Sequence, residues 1–106
     1  MKTVYNKLVR DRIPQIIEAD GRSCLCRTLN AQDYLAALDA KLNEELAEYQ
    51  QDKSMEELAD LLEVMMAVAA ARGHDFREVE AIRRAKVEKR GGFRERIWLE
   101  SVETTE

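Results

Sequence analysis

The stretch that decides the fold is EELAEYQQDKSMEELAD, residues 44–60. It carries two acidic motifs, Glu45-x-x-Glu48 and Glu57-x-x-Asp60, on either side of a short polar turn. Carboxylates three residues apart are neighbours on a helix surface. Several of them converging inside a helical protein are unfavourable unless a cation neutralises them, and Mg²⁺ prefers such oxygen ligands. The stretch therefore predicts a helical hairpin that binds Mg²⁺.

Apolar residues repeat at helical spacing along most of the chain. The repeats, with capping residues at their starts, predict helices over residues 13–19, about 31–50, about 55–72 and 76–90. Residues 23–29 alternate weakly between polar and apolar side chains, which indicates a short strand or an extended link. The expected fold is all-α, a helical bundle built on an antiparallel hairpin.

Length and composition limit the class of protein. A chain of 106 residues with 45% apolar and 36% charged residues predicts one globular domain over residues 1–106, which oligomerisation would help to stabilise. The net charge of −4 argues against a binder of nucleic acid polymers. No apolar stretch suits a signal peptide or a membrane span, so we expect a cytoplasmic protein with no membrane partner. The last residues, 104–106, are expected to fray.

Cys24 and Cys26 are the cysteines of the chain. Their C-x-C spacing has no second pair and no nearby His to complete a zinc site. A disulfide across one residue would also be strained. The sequence therefore predicts two free thiols.

The helical wheel separates the carboxylates by the direction in which they point. Each residue turns about 100°, so Glu45 lies about 60° from the centre of the apolar stripe, Glu48 about 120° and Glu44 about 160°. Glu57 is in register with apolar residues four, seven and eleven positions later, and Asp60 lies at the edge of that apolar face. Glu45 and Glu48 can therefore share a cation with the acids of the facing helix, whereas Glu44 is expected to face largely outward.

Two plainer interpretations of these acids remain open. Glu is a strong helix former, and Glu-rich helices usually present a solvated face, which is the favoured interpretation of Glu44, Glu56 and Glu63. Glu57 also lies three residues after Ser54 and can complete a capping box instead of binding a metal.

The order E-E-x-x-E followed by E-x-x-D, at residues 44–48 and 57–60, closely resembles the signature of the MazG-like, all-α nucleoside triphosphate pyrophosphohydrolases. Two flanking segments resemble one subgroup, the short phosphoribosyl-ATP pyrophosphohydrolase-like house-cleaning proteins. They are YNKLVRDRIP at residues 5–14 and RGGF at residues 90–93. The resemblance covers nearly the whole chain, from about residue 5 to residue 99.

The resemblance implies a four-helix-type α fold and Mg²⁺-dependent cleavage of a nucleoside triphosphate, or a related nucleotide, between its α and β phosphates. Monophosphate and pyrophosphate would be the products, and Mn²⁺ is the expected substitute metal. It suggests Glu45, Glu48, Glu57 and Asp60 as metal ligands, in a homodimer or homotetramer with sites near the subunit interfaces. In one respect the chain departs from the family: eight residues separate Glu48 from Glu57, fewer than in many members.

The expected chemistry is an in-line attack by a water that bound Mg²⁺ activates. A carboxylate takes the proton of that water, with Glu45 or Glu48 as the candidate base and Glu44 as the outside candidate. Basic residues near both ends of the chain, and two glycines whose backbone N–H groups can approach phosphate oxygens, are candidates for binding the substrate. These candidates are Lys7, Arg10, Lys86, Lys89, Arg90, Gly91 and Gly92. For those at the end of the last helix, a solvated helix C-terminus is the alternative.

Two other classes of function compete with the hydrolase. A di-iron carboxylate bundle would need a Glu-x-x-His motif, and the single histidine, His74, is not at such a position. The stronger alternative is a non-catalytic helical module that binds a nucleotide, or a protein partner, without turnover.

Overall fold

The computed structural model describes residues 1–104 of the 106-residue chain, and these residues form four α-helices and no strand. The helices are α1 (Ile13–Ala19), α2 (Ala31–Asp52), α3 (Met55–Ala71) and α4 (Phe76–Arg90). The all-α prediction is confirmed, with α1 and α4 at the predicted bounds. Residues 23–29 are a link without regular structure, not a strand. Of the segment expected to fray, Thr105 and Glu106 lie outside the described residues.

The chain divides into two compact units, Met1–Phe76 and the part from Arg77 onward. The first unit contains α1, α2 and α3, and the second contains α4 after its first residue together with the tail that follows. The prediction of one domain over residues 1–106 stays a prediction. Within residues 1–104, none of the helices has both the length and the apolar character that crossing a membrane requires.

Capping residues set the ends of the hairpin helices. The Asn30 side chain accepts a hydrogen bond at 2.8 Å from a backbone N–H in the first turn of α2. Ser54 Oγ accepts one at 3.3 Å from the Glu57 N–H in the first turn of α3. Between the helices, Lys53 adopts a left-handed conformation (φ 56°), and its N–H donates to the Tyr49 carbonyl, which ends α2. This two-residue connection reverses the chain, so α2 and α3 pack as a helical hairpin.

The core of this hairpin is thin. Leu38 on α2 and Val64 and Ala69 on α3 are the buried apolar residues of the part of the chain that the structure describes, and Leu38 is only 2% exposed. At the open end of the hairpin, Arg72 forms an ion pair with Asp39 at 3.3 Å. That pair joins the end of α3 to the first half of α2 and so identifies the hairpin as antiparallel. Both partners are exposed, so the pair contributes about 1 kcal/mol or less.

α3 also presents apolar side chains to solvent. Leu58, Leu62, Met65 and Met66 are each 39–46% exposed. At about 100° per residue, their positions fall within one arc of about 100° on the helix surface. We call these four residues the α3 outer face. A contiguous apolar surface of this kind is typical of an interaction site.

The second unit is built around the basic helix α4. Glu80 accepts hydrogen bonds from Arg83 at 2.9 Å and from Arg84 at 3.3 Å. These guanidinium groups lower the pKa of Glu80 to about 2. The helix ends at Arg90, and Gly91 follows with φ 82°, the left-handed conformation that commonly terminates helices.

Candidate metal centre

Five carboxylates meet where α2 faces α3. Glu44, Glu45 and Glu48 form one group, and Glu45, Glu57 and Asp60 form another. Within each group, one oxygen from every residue lies within 4.8 Å of the others. Glu45 belongs to both groups and so connects the two helices. We call these five residues the acidic cluster; oxygens this close can converge on one Mg²⁺, which binds them at about 2.1 Å, after small side-chain rotations.

Glu45 is the buried member of the cluster, with 6% of its surface exposed. One of its oxygens, Oε1, lies 3.3 Å from Lys41 Nζ, whereas Oε2 is buried without a hydrogen-bond partner. Burial raises the pKa of the Glu45 carboxyl, a hydrogen bond with Glu48 raises it further, and Lys41 opposes the shift. The wheel placed Glu45 at the border of the core, and the structure encloses it more fully.

Glu57 uses its backbone and its side chain for different purposes. Its N–H caps α3 through Ser54, as half of a capping box. Its carboxylate lies instead in the cluster, where Oε2 is buried without a hydrogen-bond partner. Burial, a hydrogen bond with Glu48, and the charges of Glu48, Asp52 and Asp60 raise the pKa of Glu57 to about 7. The helix cap and a role in the cluster are therefore compatible.

Glu44 is less exposed than the wheel indicated. Its side chain is 31% exposed and belongs to the cluster, because Lys41 and Lys7 draw its Oε1 inward at 3.2 and 3.5 Å. Lys41 contacts both Glu44 and Glu45. Sequence reasoning overlooked Lys41, although a lysine three and four residues before two acids has the spacing of helix ion pairs.

An N-terminal arm, residues 1–12, contacts the cluster through two of its basic side chains. Lys7 Nζ lies 3.5 Å from Glu44 Oε1, and Arg10 donates a hydrogen bond to Asp60 Oδ1 at 2.7 Å. Both were predicted to bind phosphate, which stays a prediction; in the structure both contact the acids. Their side chains are 42% and 58% exposed, so each pair is weak and can exchange its partner for another anion.

The donor set fits a hard divalent cation. It consists of carboxylate oxygens alone, which suit Mg²⁺ or Mn²⁺ better than softer metals. Two of these oxygens, on Glu45 and Glu57, are buried and unpartnered, and such oxygens are unfavourable unless a donor or a cation satisfies them. Glu48 and Asp60 are half-buried beside them and complete the predicted ligand set.

The remaining predicted substrate-binding residues belong to the second compact unit. All of them are exposed, at the end of α4 and directly after it. They are Lys86, Lys89, Arg90, Gly91 and Gly92. Their role in binding a phosphate stays a prediction.

A cavity of about 310 Å³ lies in the first unit, and no residue of the acidic cluster lines it. Residues of the arm, of the link and of the start of α2 surround it. They are Leu8, Asp11, Arg27, Thr28, Leu29 and Tyr34. Helical capping rules predict that Leu29 packs on Tyr34 as a hydrophobic staple, and both line the cavity. Sequence reasoning did not single out Arg27 for a site, because it belongs to no motif.

Comparison with known proteins finds a partial relative. A protein of Mycolicibacterium smegmatis, named as an uncharacterized protein, is 62% identical to this chain over 42 residues. Those residues are 40% of this chain and 43% of that protein, so the match spans less than half of the relative's length. No family model matches the chain, and no solved structure matches it.

Proposed function

We propose that this protein is a Mg²⁺-dependent nucleotide pyrophosphohydrolase of the MazG-like, all-α kind, in the short house-cleaning subgroup, acting in the cytoplasm. The observation that carries the proposal is the pair of buried, unpartnered oxygens in the acidic cluster, Oε2 of Glu45 and Oε2 of Glu57. Five carboxylates meeting across a hairpin repel one another, and a bound cation relieves both that repulsion and the missing hydrogen bonds. The resemblance of the acidic motifs and of both flanking segments supplies the substrate class.

Glu45, Glu48, Glu57 and Asp60 would hold the ion, with Mn²⁺ as a substitute for Mg²⁺. When bound, the ion supplies Lewis-acid chemistry: it stabilises charge on the phosphate oxygens and makes a coordinated water more acidic. The protein residues position the reacting groups and accept the proton of the water.

Glu48 is the residue that we assign as general base. Of the three candidates, Glu44 and Glu45 each have an oxygen within 3.3 Å of the ammonium group of Lys41, so an ion pair already occupies that oxygen. Within residues 1–104, Glu48 forms no ion pair with a lysine or an arginine, so its carboxylate is available to accept the proton of a water.

Lys7 and Arg10 would bind the phosphates. In the structure they neutralise Glu44 and Asp60. With a divalent cation held in the cluster, these exposed basic side chains would be able to contact the polyphosphate beside it. The planar guanidinium of Arg10 is suited to bidentate binding of phosphate oxygens. The arm would thus hold the substrate against the ion.

We also propose that the protein forms a homodimer or a homotetramer. The core of the hairpin is thin, and the α3 outer face leaves four large apolar side chains 39–46% exposed. Burying a Leu or Met side chain contributes about 1.5–3 kcal/mol, so covering this face with a second copy would add substantially to stability.

A non-catalytic module is the second candidate, and the ion pairs of the arm are the observation in its favour. With Lys7, Arg10 and Lys41 in place, the cluster is partly neutralised without a metal. In that case the arm would stay on the carboxylates, and nucleotide would bind elsewhere or not at all.

Incubation of the purified protein and Mg²⁺ with a panel of canonical and modified nucleoside triphosphates tests the proposal. We expect monophosphate and pyrophosphate as products, no turnover with EDTA, and loss of turnover in Glu57→Gln. Glu63→Gln is the matched control, because Glu63 lies on the same helix but is exposed and outside the cluster. Tight nucleotide binding without products would favour the module, and hydrolysis that persists in a folded Glu57→Gln variant would reject Glu57 as a ligand.

A further inference from the structure

Within residues 1–104, Lys41 is the least exposed of the basic side chains that form ion pairs with the acidic cluster. Its side chain is 15% exposed, against 42% for Lys7 and 58% for Arg10. It lies on α2, one turn before the acids that it contacts. Its Nζ is 3.2 Å from Glu44 Oε1 and 3.3 Å from Glu45 Oε1. Two carboxylates therefore hold one ammonium group in a largely desolvated position.

Helix stability alone does not account for this position of Lys41. In isolated helices the favourable order places an acid four residues before a lysine, and Lys41 instead precedes its acids. A lysine also gives up hydration and side-chain freedom when it is largely buried. The two carboxylates compensate for that loss, so the position of the ammonium group depends on the acidic cluster and not on the helix.

The carboxylate of Glu45 connects two sides of the acidic cluster. On the side that we call the ammonium side, the Oε1 atoms of Glu44 and Glu45 contact Lys41. On the side that we call the open side, Glu45 lies with Glu57 and Asp60. Glu45 and Glu57 each have an Oε2 atom that is buried without a hydrogen-bond partner in the described residues. A positive charge is thus already built into the ammonium side, whereas two oxygens remain to be satisfied.

A divalent ion on the ammonium side would meet the charge of Lys41. Glu44, Glu45 and Glu48 have oxygens close enough together for such an ion. An ion bound to the first two of these acids would lie close to Lys41 Nζ, because the same carboxylates hold both. Like charges separated by about 4 Å repel strongly in a poorly hydrated environment.

We propose that the Lys41 ammonium is a built-in counter-cation, which occupies the ammonium side of the acidic cluster and excludes a divalent ion from it. This inference rests on the proposed function, in which a divalent ion binds the cluster, and it restricts that ion to the open side. Lys41 is a positioning residue: it holds one oxygen of Glu45 and leaves Oε2 of the same carboxylate for the ion.

The number of bound Mn²⁺ ions tests the proposal. Electron paramagnetic resonance measures free Mn²⁺ during titration of the metal-free full chain without nucleotide. We expect Lys41→Met to bind one ion per chain more than the wild type, and two ions about 3.5–4 Å apart to show spin coupling. Lys41→Arg should restore the wild-type number. Lys7→Met is the matched control, because it removes the same charge from the same Glu44 oxygen at an exposed position, and it should leave the number unchanged.

Thermal unfolding in EDTA gives a measurement that needs no metal. Lys41→Met should lower the melting temperature by about 10 °C or more, because it leaves a buried carboxylate without its counter-charge. Lys7→Met should lower it by less than half as much, because its ion pair is exposed. Added Mn²⁺ should raise the melting temperature of Lys41→Met towards that of the wild type.

Two further variants test the same division of the cluster with Lys41 in place, in case Lys41→Met does not fold. Glu44→Gln should weaken Mn²⁺ binding by about five-fold or less, because it changes the ammonium side. Asp60→Asn should weaken it by about ten-fold or more, since even the loss of an outer-shell partner has that effect. Equal losses in these two variants would overturn the proposal.

The wild-type count separates this inference from the proposed function. A folded Lys41→Met variant that gains no ion would overturn the role of Lys41, even if the wild type binds one ion and hydrolyses nucleotide. A wild type that binds no Mn²⁺ would overturn the proposed function. In that case an ion gained by Lys41→Met would still support the role of Lys41, and the lack of one would overturn both.

Discussion

At pH 7 the Glu57 carboxyl is about half protonated, because its pKa is raised to about 7. Burial is the largest cause of that shift, followed by the hydrogen bond with Glu48 and the neighbouring negative charges. A divalent cation among the same carboxylates acts in the opposite direction, because it favours their ionised forms. We therefore expect Mg²⁺ binding to release protons from the protein.

The size of the release follows from the pKa. With a pKa of about 7, Glu57 holds about 0.9 proton at pH 6, about 0.5 at pH 7 and about 0.1 at pH 8. Full ionisation on binding releases these amounts, and Glu45, whose pKa is also raised, adds to them. The apparent affinity for Mg²⁺ should accordingly fall by up to about ten-fold per pH unit below pH 7 and level off above it.

Isothermal titration calorimetry measures this release directly when Mg²⁺ is titrated in buffers of different ionisation enthalpy. We expect at least about 0.5 proton per ion at pH 7 for the wild type and for Glu63→Gln, and a clearly smaller release for Glu57→Gln. A wild-type protein that binds Mg²⁺ at pH 7 without releasing protons would refute the reasoning. So would an undiminished release from a folded Glu57→Gln variant.

Four further outcomes are expected. In EDTA, the protein should become less stable as the pH rises from 4.5 to about 7, because across that window Glu57 binds more protons in the folded state than in the unfolded state. Melting temperatures measured over this range should fall less for Glu57→Gln than for the wild type. Arg10→Ala should raise the KM for nucleotide, and it should tighten Mg²⁺ binding by at most about five-fold, since an exposed ion pair contributes about 1 kcal/mol or less. Arg12→Ala, the control, should change neither the KM nor the Mg²⁺ affinity. Leu62→Glu should shift the protein towards monomer in light scattering, whereas an unchanged mass would reject the α3 outer face as the interface. Leu38→Ala should lower the free energy of unfolding in urea by about 2–5 kcal/mol, because it leaves a cavity in a thin core.

The helices could be predicted from the sequence because their ends depend on contacts within a few residues. Asn30 and Ser54 cap α2 and α3 as expected, through side-chain oxygens that accept from the first turn. α2 continues two residues past the predicted end, to Asp52, and ends where Lys53 adopts the left-handed conformation. The inward direction of Glu45 was likewise accessible from helical geometry alone.

Contacts between distant segments could not be predicted in the same way. Arg10 and Asp60 are 50 residues apart, and no local rule pairs an irregular arm with a particular helix. Helical spacing could have indicated Lys41, but the wheel considered only the acids and the apolar stripe.

The charge balance of the acidic cluster gives the basic arm a physical reason to lie over it. Five ionised carboxylates would carry five negative charges. Three cations lie within 3.5 Å of them: Lys7, Arg10 and Lys41. Two negative charges then remain, which is the charge that one Mg²⁺ neutralises. Lys41, only 15% exposed and bound to two carboxylates, is fixed, whereas the exposed Lys7 and Arg10 can also contact a polyphosphate that binds beside the ion. Binding of the ion and binding of the nucleotide are therefore coupled through the arm.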